Sequence, residues 1–91
     1  MESPSSLVLD TIDQLLRMLE RIEPARVLGR QYVDSVRNTL PWEWDRLLDR
    51  WRFQAEDARK QLLELKDTHP VYGDVIDKAL SYIEELEAKY G

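Results

Sequence analysis

PWEWDRLLDRWRFQAEDARKQLLELK, residues 41–66, decides how the chain reads. Trp44, Leu48, Trp51, Ala55, Ala58, Leu62 and Leu65 follow one another at alternating steps of four and three, and Leu47 widens the stripe. At 3.6 residues per turn that spacing puts them on one face of an α-helix. Pro41 suits the first turn, where a missing N–H has no intrahelical partner to lose. Glu56 and Lys60 stand four apart on the opposite face, the spacing of a weak helical ion pair. Such a helix is about 39 Å long at 1.5 Å per residue, enough to form the spine of a small domain.

Working outward, Pro4, Pro24, Pro41 and Pro70 divide the chain into segments of helical periodicity. The first helix is expected over about Pro4 to Ile22, buried through Val8, Ile12, Leu15, Leu16, Leu19 and Ile22. Ser3, Ser5 and Ser6 are its candidate caps, and Asp13 and Arg17 are spaced to pair on its outer face. A second helix is expected over about Pro24 to Asn38, with Ala25, Leu28, Tyr32, Val36 and Leu40 on one side. Gly29 within it costs about 1 kcal/mol relative to alanine, tolerable where a neighbouring helix passes closely. The last helix, about Pro70 or Gly73 to Tyr90, sets Tyr72, Ile76, Ala79, Ile83, Leu86 and Tyr90 in a 4-3-4-3-4 seam of the knobs-into-holes kind, broadened by Val75 and Leu80. Asp67 or Thr68 can cap its start and Gly91 its end. The expected fold is all-α: one domain over residues 1–91, a small antiparallel bundle of about four helices with a long third helix.

Composition narrows the function classes. A chain of 91 residues buries roughly 60 to 65% of its unfolded surface, so it has one core and little to spare. Hydrophobic content of 43% beside 34% charge is too apolar for a disordered chain and too charged for a membrane one. Cysteine is absent, which removes disulfides, thiolate nucleophiles and sulfur metal sites, and the expected setting is the cytoplasm. The run Leu7-Val8-Leu9 ends at Asp10 with no basic region before it, so neither a signal peptide nor a membrane span is expected. The net charge of −5 makes nucleic acid a poor partner, although residues 24–40 carry three arginines against one aspartate.

Residues able to carry chemistry are sparse. His69, the only histidine, precedes Pro70, and no Glu-x-x-His pair exists to build a metal centre in a bundle. Ser35, Thr39, Thr68 and Ser81 belong to no nucleophile motif, and no glycine-rich phosphate loop is present. No catalytic residue, metal or cofactor is expected. Arg17, Arg21, Arg26 and Arg30, with Arg37 beyond them, form a basic stretch able to bind an anion, interleaved with Asp13, Glu20, Glu23 and Asp34.

IDQLLRMLERIEPARVLGR, residues 12–30, loosely resembles the first helix of the small all-helical chorismate mutases, with its ID, paired leucines, arginine and alanine-to-glycine ending. The resemblance implies a small dimeric helical enzyme whose site lies between arginine-bearing helices. The chain departs from that family at Pro24, where the helix should run unbroken, and at Tyr32, which takes the place of a basic residue. The leucine pairs are also displaced by one position relative to Arg21.

The aromatics of the long helix fall into two groups. Trp44 and Trp51 lie within roughly 20° of each other on the buried stripe, whereas Trp42 and Phe53 project roughly 160° to 180° away from Trp44, among Arg46, Asp49 and Glu56. They are either covered by another helix of this chain, where Leu7 and Met18 offer an apolar strip, or left for a partner. The leading expectation is a non-enzymatic interaction module of the adaptor, assembly-chaperone or inhibitor kind. It would dock Trp42 and Phe53, with Arg46 and Arg50 setting orientation, on a protein partner or on a second copy through the seam of the last helix. The alternatives are the dimeric enzyme with an arginine-lined site and a weak nucleic-acid-associated regulator.

Overall fold

The computed structural model describes residues 4–90, and the side chains from Leu7 onward. Ser3 and Gly91, two of the expected caps, lie outside the described residues, as do the side chains of Ser5 and Ser6. The chain is all-α, with five helices among the described residues: α1 (Pro4–Ile22), α2 (Pro24–Leu28), α3 (Val33–Thr39), α4 (Pro41–Thr68) and α5 (Gly73–Ala88). Short 3-10 turns, Arg30–Tyr32 and Pro70–Tyr72, lead into α3 and α5. The molecule measures 50 × 24 × 16 Å, its long axis set by the 28 residues of α4.

Proline sets the boundaries. Leu40 and His69, each before a proline, adopt nearly the same conformation, φ −131° ψ 63° and φ −134° ψ 66°. The proline ring excludes the α region for the residue before it, so a helix ends there and the next begins. In both places the pre-proline N–H still closes the preceding helix, to Val36 O at 2.8 Å and to Leu65 O at 2.7 Å. α4 therefore runs through Thr68. The Thr68 hydroxyl turns back to Glu64 O at 3.0 Å instead of capping the last helix, which starts after the turn at Gly73, the later of its two expected starts.

The expected single helix over 24–38 is two helices, and Gly29 is the reason. Its backbone sits at φ 88° ψ 134°, a region closed to residues with a Cβ. The glycine ends α2 and turns the chain; it does not make room for a passing helix. Tyr32 falls in the turn after the break and Leu40 is the non-helical residue before Pro41, and both, expected inside, are exposed, while Ala25, Leu28 and Val36 pack against the core.

The three long helices share one core. Val8, Ile12, Leu15 and Leu19 of α1 meet Trp44, Leu48, Trp51, Ala55, Ala58 and Leu62 of α4, and the seam Ile76, Ala79, Ile83, Leu86 and Tyr90 closes on both. Ala55 and Ala58, both fully buried, keep the middle of α4 thin enough for the helices to approach. α4 and α5 run in opposite directions, with Lys66 paired to Asp77 at 2.8 Å near the turn and Arg59 to Glu87 further along.

Candidate functional site

The outer face of α4 presents the residues expected to meet a partner. Trp42 is 83% exposed and Phe53 71% exposed. Among the described residues no helix covers them; Met18, one half of the strip that could have done so, packs against the core, and Leu7 is exposed elsewhere on α1. Arg46 and Arg50 are exposed on the same helix, and Arg46 holds only a loose contact to Glu43, 3.7 Å long. Trp42 lies in the first turn of α4, directly after Leu40 and Pro41.

Geometry makes this face a second seam. Trp42, Arg46, Asp49, Phe53, Glu56, Lys60 and Leu63 repeat at steps of four and three, all exposed, on the side of α4 opposite the buried stripe. The signal lay in the sequence, but polar residues at four of its seven positions hid it from a search for apolar periodicity.

The arginines of α1 and α2 lie along two open clefts. Asp13, Arg17, Glu20, Arg21 and Arg26 line one; Glu20, Glu23, Arg26, Arg30, Tyr82 and Lys89 are among the residues lining the other. Arg26 faces both. Carboxylates accompany the cations throughout: Arg17 binds Asp13 at 2.8 Å, and Lys89 reaches Glu23 at 3.6 Å. Burial raises the Tyr82 hydroxyl above its ordinary pKa, and the Glu20 carboxylate raises it further. The structure thus brings Arg17, Arg21 and Arg26 to one opening and Arg26 and Arg30 to the next, without enclosing them.

Beside the second cleft is a cluster that sequence reading missed. Tyr90 donates its hydroxyl proton to Glu23 Oε1 at 2.8 Å and accepts the Ala25 N–H at 3.2 Å, so the end of the chain caps the start of α2. Its ring leans on Trp44 and Trp51, with centroids 5.8 and 5.6 Å away, and Arg37 lies 4.8 Å over the Trp44 ring. Trp51 in turn donates its indole N–H to Leu19 O at 3.0 Å. Leu19 is in the last turn of α1, and its carbonyl is one that the helix itself leaves without a partner.

His69 sits at the end of α4, its Nδ1 2.9 Å from the Thr68 hydroxyl. Among the described residues no group of three or more His, Asp or Glu side chains is placed to hold a metal ion, and no helix is long and apolar enough to cross a membrane. No family model, curated protein or solved structure matches the chain.

Proposed function

We propose that this chain is a helical interaction module that docks the outer face of α4 on a protein. One observation carries the reading: Trp42 and Phe53 point away from a core that takes in the other two tryptophans completely or nearly so. Large aromatics beside arginines are the side chains that most often anchor protein interfaces. Covering both rings removes roughly 300 Å² of apolar surface from water, roughly 7 kcal/mol of gross stabilisation, much of which the lost freedom of association offsets. Arg46 and Arg50 then supply direction, since exposed charges steer and orient more than they tighten.

Affinity capture with the intact chain, set beside a Trp42→Ala/Phe53→Ala variant, tests this. Both side chains are exposed, so the variant folds, and circular dichroism verifies it. A protein held by the parent chain and lost by the variant supports the docking face; equal retention by both overturns it.

A further inference from the structure

The outer face of α4 is complementary to itself. Read inwards from both ends, WEWDRLLDRWRF, residues 42–53, is an inverted repeat about the Leu47–Leu48 bond. Trp42 corresponds to Phe53, Glu43 to Arg52, Trp44 to Trp51, Asp45 to Arg50 and Arg46 to Asp49. Aromatic answers aromatic, and every acid answers a base. The structure then separates these residues by face: Trp44, Leu48 and Trp51 are buried, whereas Trp42, Glu43, Arg46, Asp49, Arg50 and Phe53 are exposed.

From this we infer that the occupant of the docking face is a second copy of the chain, its α4 lying antiparallel with the two-fold axis level with the Leu47–Leu48 bond. The inference rests on the docking reading above and names its partner. In this arrangement Trp42 of one copy meets Phe53 of the other at both ends of the contact, and Arg46 meets Asp49 on either side of the axis. Glu43 and Arg50 lie on the same flank of the helix, roughly 80° to 100° from Trp42, and the two-fold keeps that flank facing its own counterpart, so they pair across the interface. Each contact occurs twice, as an isologous interface requires.

Charge selects this register over its neighbours. Parallel helices in register set Arg46 against Arg46 and Asp49 against Asp49. An antiparallel pair centred on Phe53 opposes Arg46 with Lys60. Moving the axis to the level of Trp51 restores opposite charges but sets Phe53 against Asp49, leaving the ring against a carboxylate. Only the inverted repeat joins the aromatics and satisfies the charges together. The overlap spans about 18 Å of helix, below the size of a stable interface, so self-association falls in the range of roughly tens to hundreds of micromolar. The Arg46 contact to Glu43 within one copy is long and exposed, and both side chains are free to exchange partners.

Sedimentation equilibrium on the intact chain up to several hundred micromolar, with reciprocal charge reversal, provides the test. Arg46→Asp alone and Asp49→Arg alone each put like charges across the axis and weaken dimerisation by roughly tenfold or more. Mixing the two variants in equal amounts restores opposite charges at both central contacts, and the heterodimer forms within about threefold of the parental affinity. A parent chain that stays monomeric throughout, or a mixture no better than its components, overturns the inference. If it is monomeric while Trp42→Ala/Phe53→Ala still abolishes capture of another protein, the second copy is excluded and the docking face survives. If that variant changes neither association nor capture, both readings fall.

Discussion

The hydroxyl of Tyr90 binds the carboxylate of Glu23 at 2.8 Å, tying the last turn of the chain to the corner between α1 and α2 across 67 positions of sequence. Glu23 is the single residue joining those helices, and its side chain is 13% exposed. The corner thus depends on a hydroxyl from the far end of the chain. Tyr90→Phe keeps the ring against Trp44 and Trp51 but leaves Glu23 with the longer contact to Lys89 alone and the Ala25 N–H without its acceptor. A loss of about 1 to 2 kcal/mol is expected in urea unfolding, where an unchanged midpoint would show the corner to stand without it.

Alkaline pH should release the same contact. The Tyr90 hydroxyl is pushed up to about 12 from an ordinary 10.0, first by burial and then by its bond to Glu23. The folded state holds the proton more tightly than the unfolded one, so the stabilisation is complete below pH 10 and disappears as pH rises through about 12. Unfolding free energy measured over that window should fall by on the order of 2 kcal/mol in the parent chain. Tyr90→Phe, which has no proton to lose there, should show a smaller decline.

Trp51→Phe isolates the other cross-chain bond. The indole N–H that satisfies Leu19 O is lost and a small void opens in the core beside the Tyr90 ring. Both effects act in one direction, and a destabilisation of about 2 to 3 kcal/mol is expected. Chemical denaturation measures it, and a loss under about 0.5 kcal/mol, the range of surface substitutions, would remove the hydrogen bond from the account.

Gly29→Ala gives opposite signs for the two descriptions of residues 24–39. In an unbroken helix alanine would stabilise by about 1 kcal/mol. At φ 88° it is strained, and its Cβ would stand 3.4 Å from the Tyr32 ring, so thermal unfolding should show a loss of about 1 kcal/mol or more.

Tryptophan emission reports the sorting of the aromatics. The dilute chain should show a red component readily quenched by acrylamide, lost in Trp42→Phe and kept in Trp44→Phe. That substitution at Trp42 should leave stability within about 0.5 kcal/mol of the parent. Emission that is blue and protected throughout would place Trp42 under cover and remove the docking face.

The buried stripe of α4, the α1 stripe and the seam of α5 were all readable from spacing, and their members form the observed core or pack against it, although Leu47 is only half-buried and Val75, expected to broaden the last seam, is exposed. Residues three and four apart share a helix face whatever lies beyond them, so periodicity assigns faces without knowledge of the neighbours. Prolines marked the boundaries for an equally local reason. Gly29 was ambiguous because its composition is the same whether it relieves crowding or supplies a positive φ. The Tyr90 cap was hidden because Glu23 and Ala25 lie 65 to 67 residues away and no local spacing ties them together.

The stretch 42–53 shows where the division falls. Its two groups of aromatics, and the inverted order of its charges, are properties of the linear chain, since helical geometry alone separates Trp44 and Trp51 from Trp42 and Phe53. Whether the second pair would be covered depended on where α1, α3 and α5 came to rest, which is set by packing among residues distant in sequence. Those helices close over the side of α4 that holds Trp51 and leave the opposite side bare, because one apolar stripe on each long helix is enough to complete a core of this size.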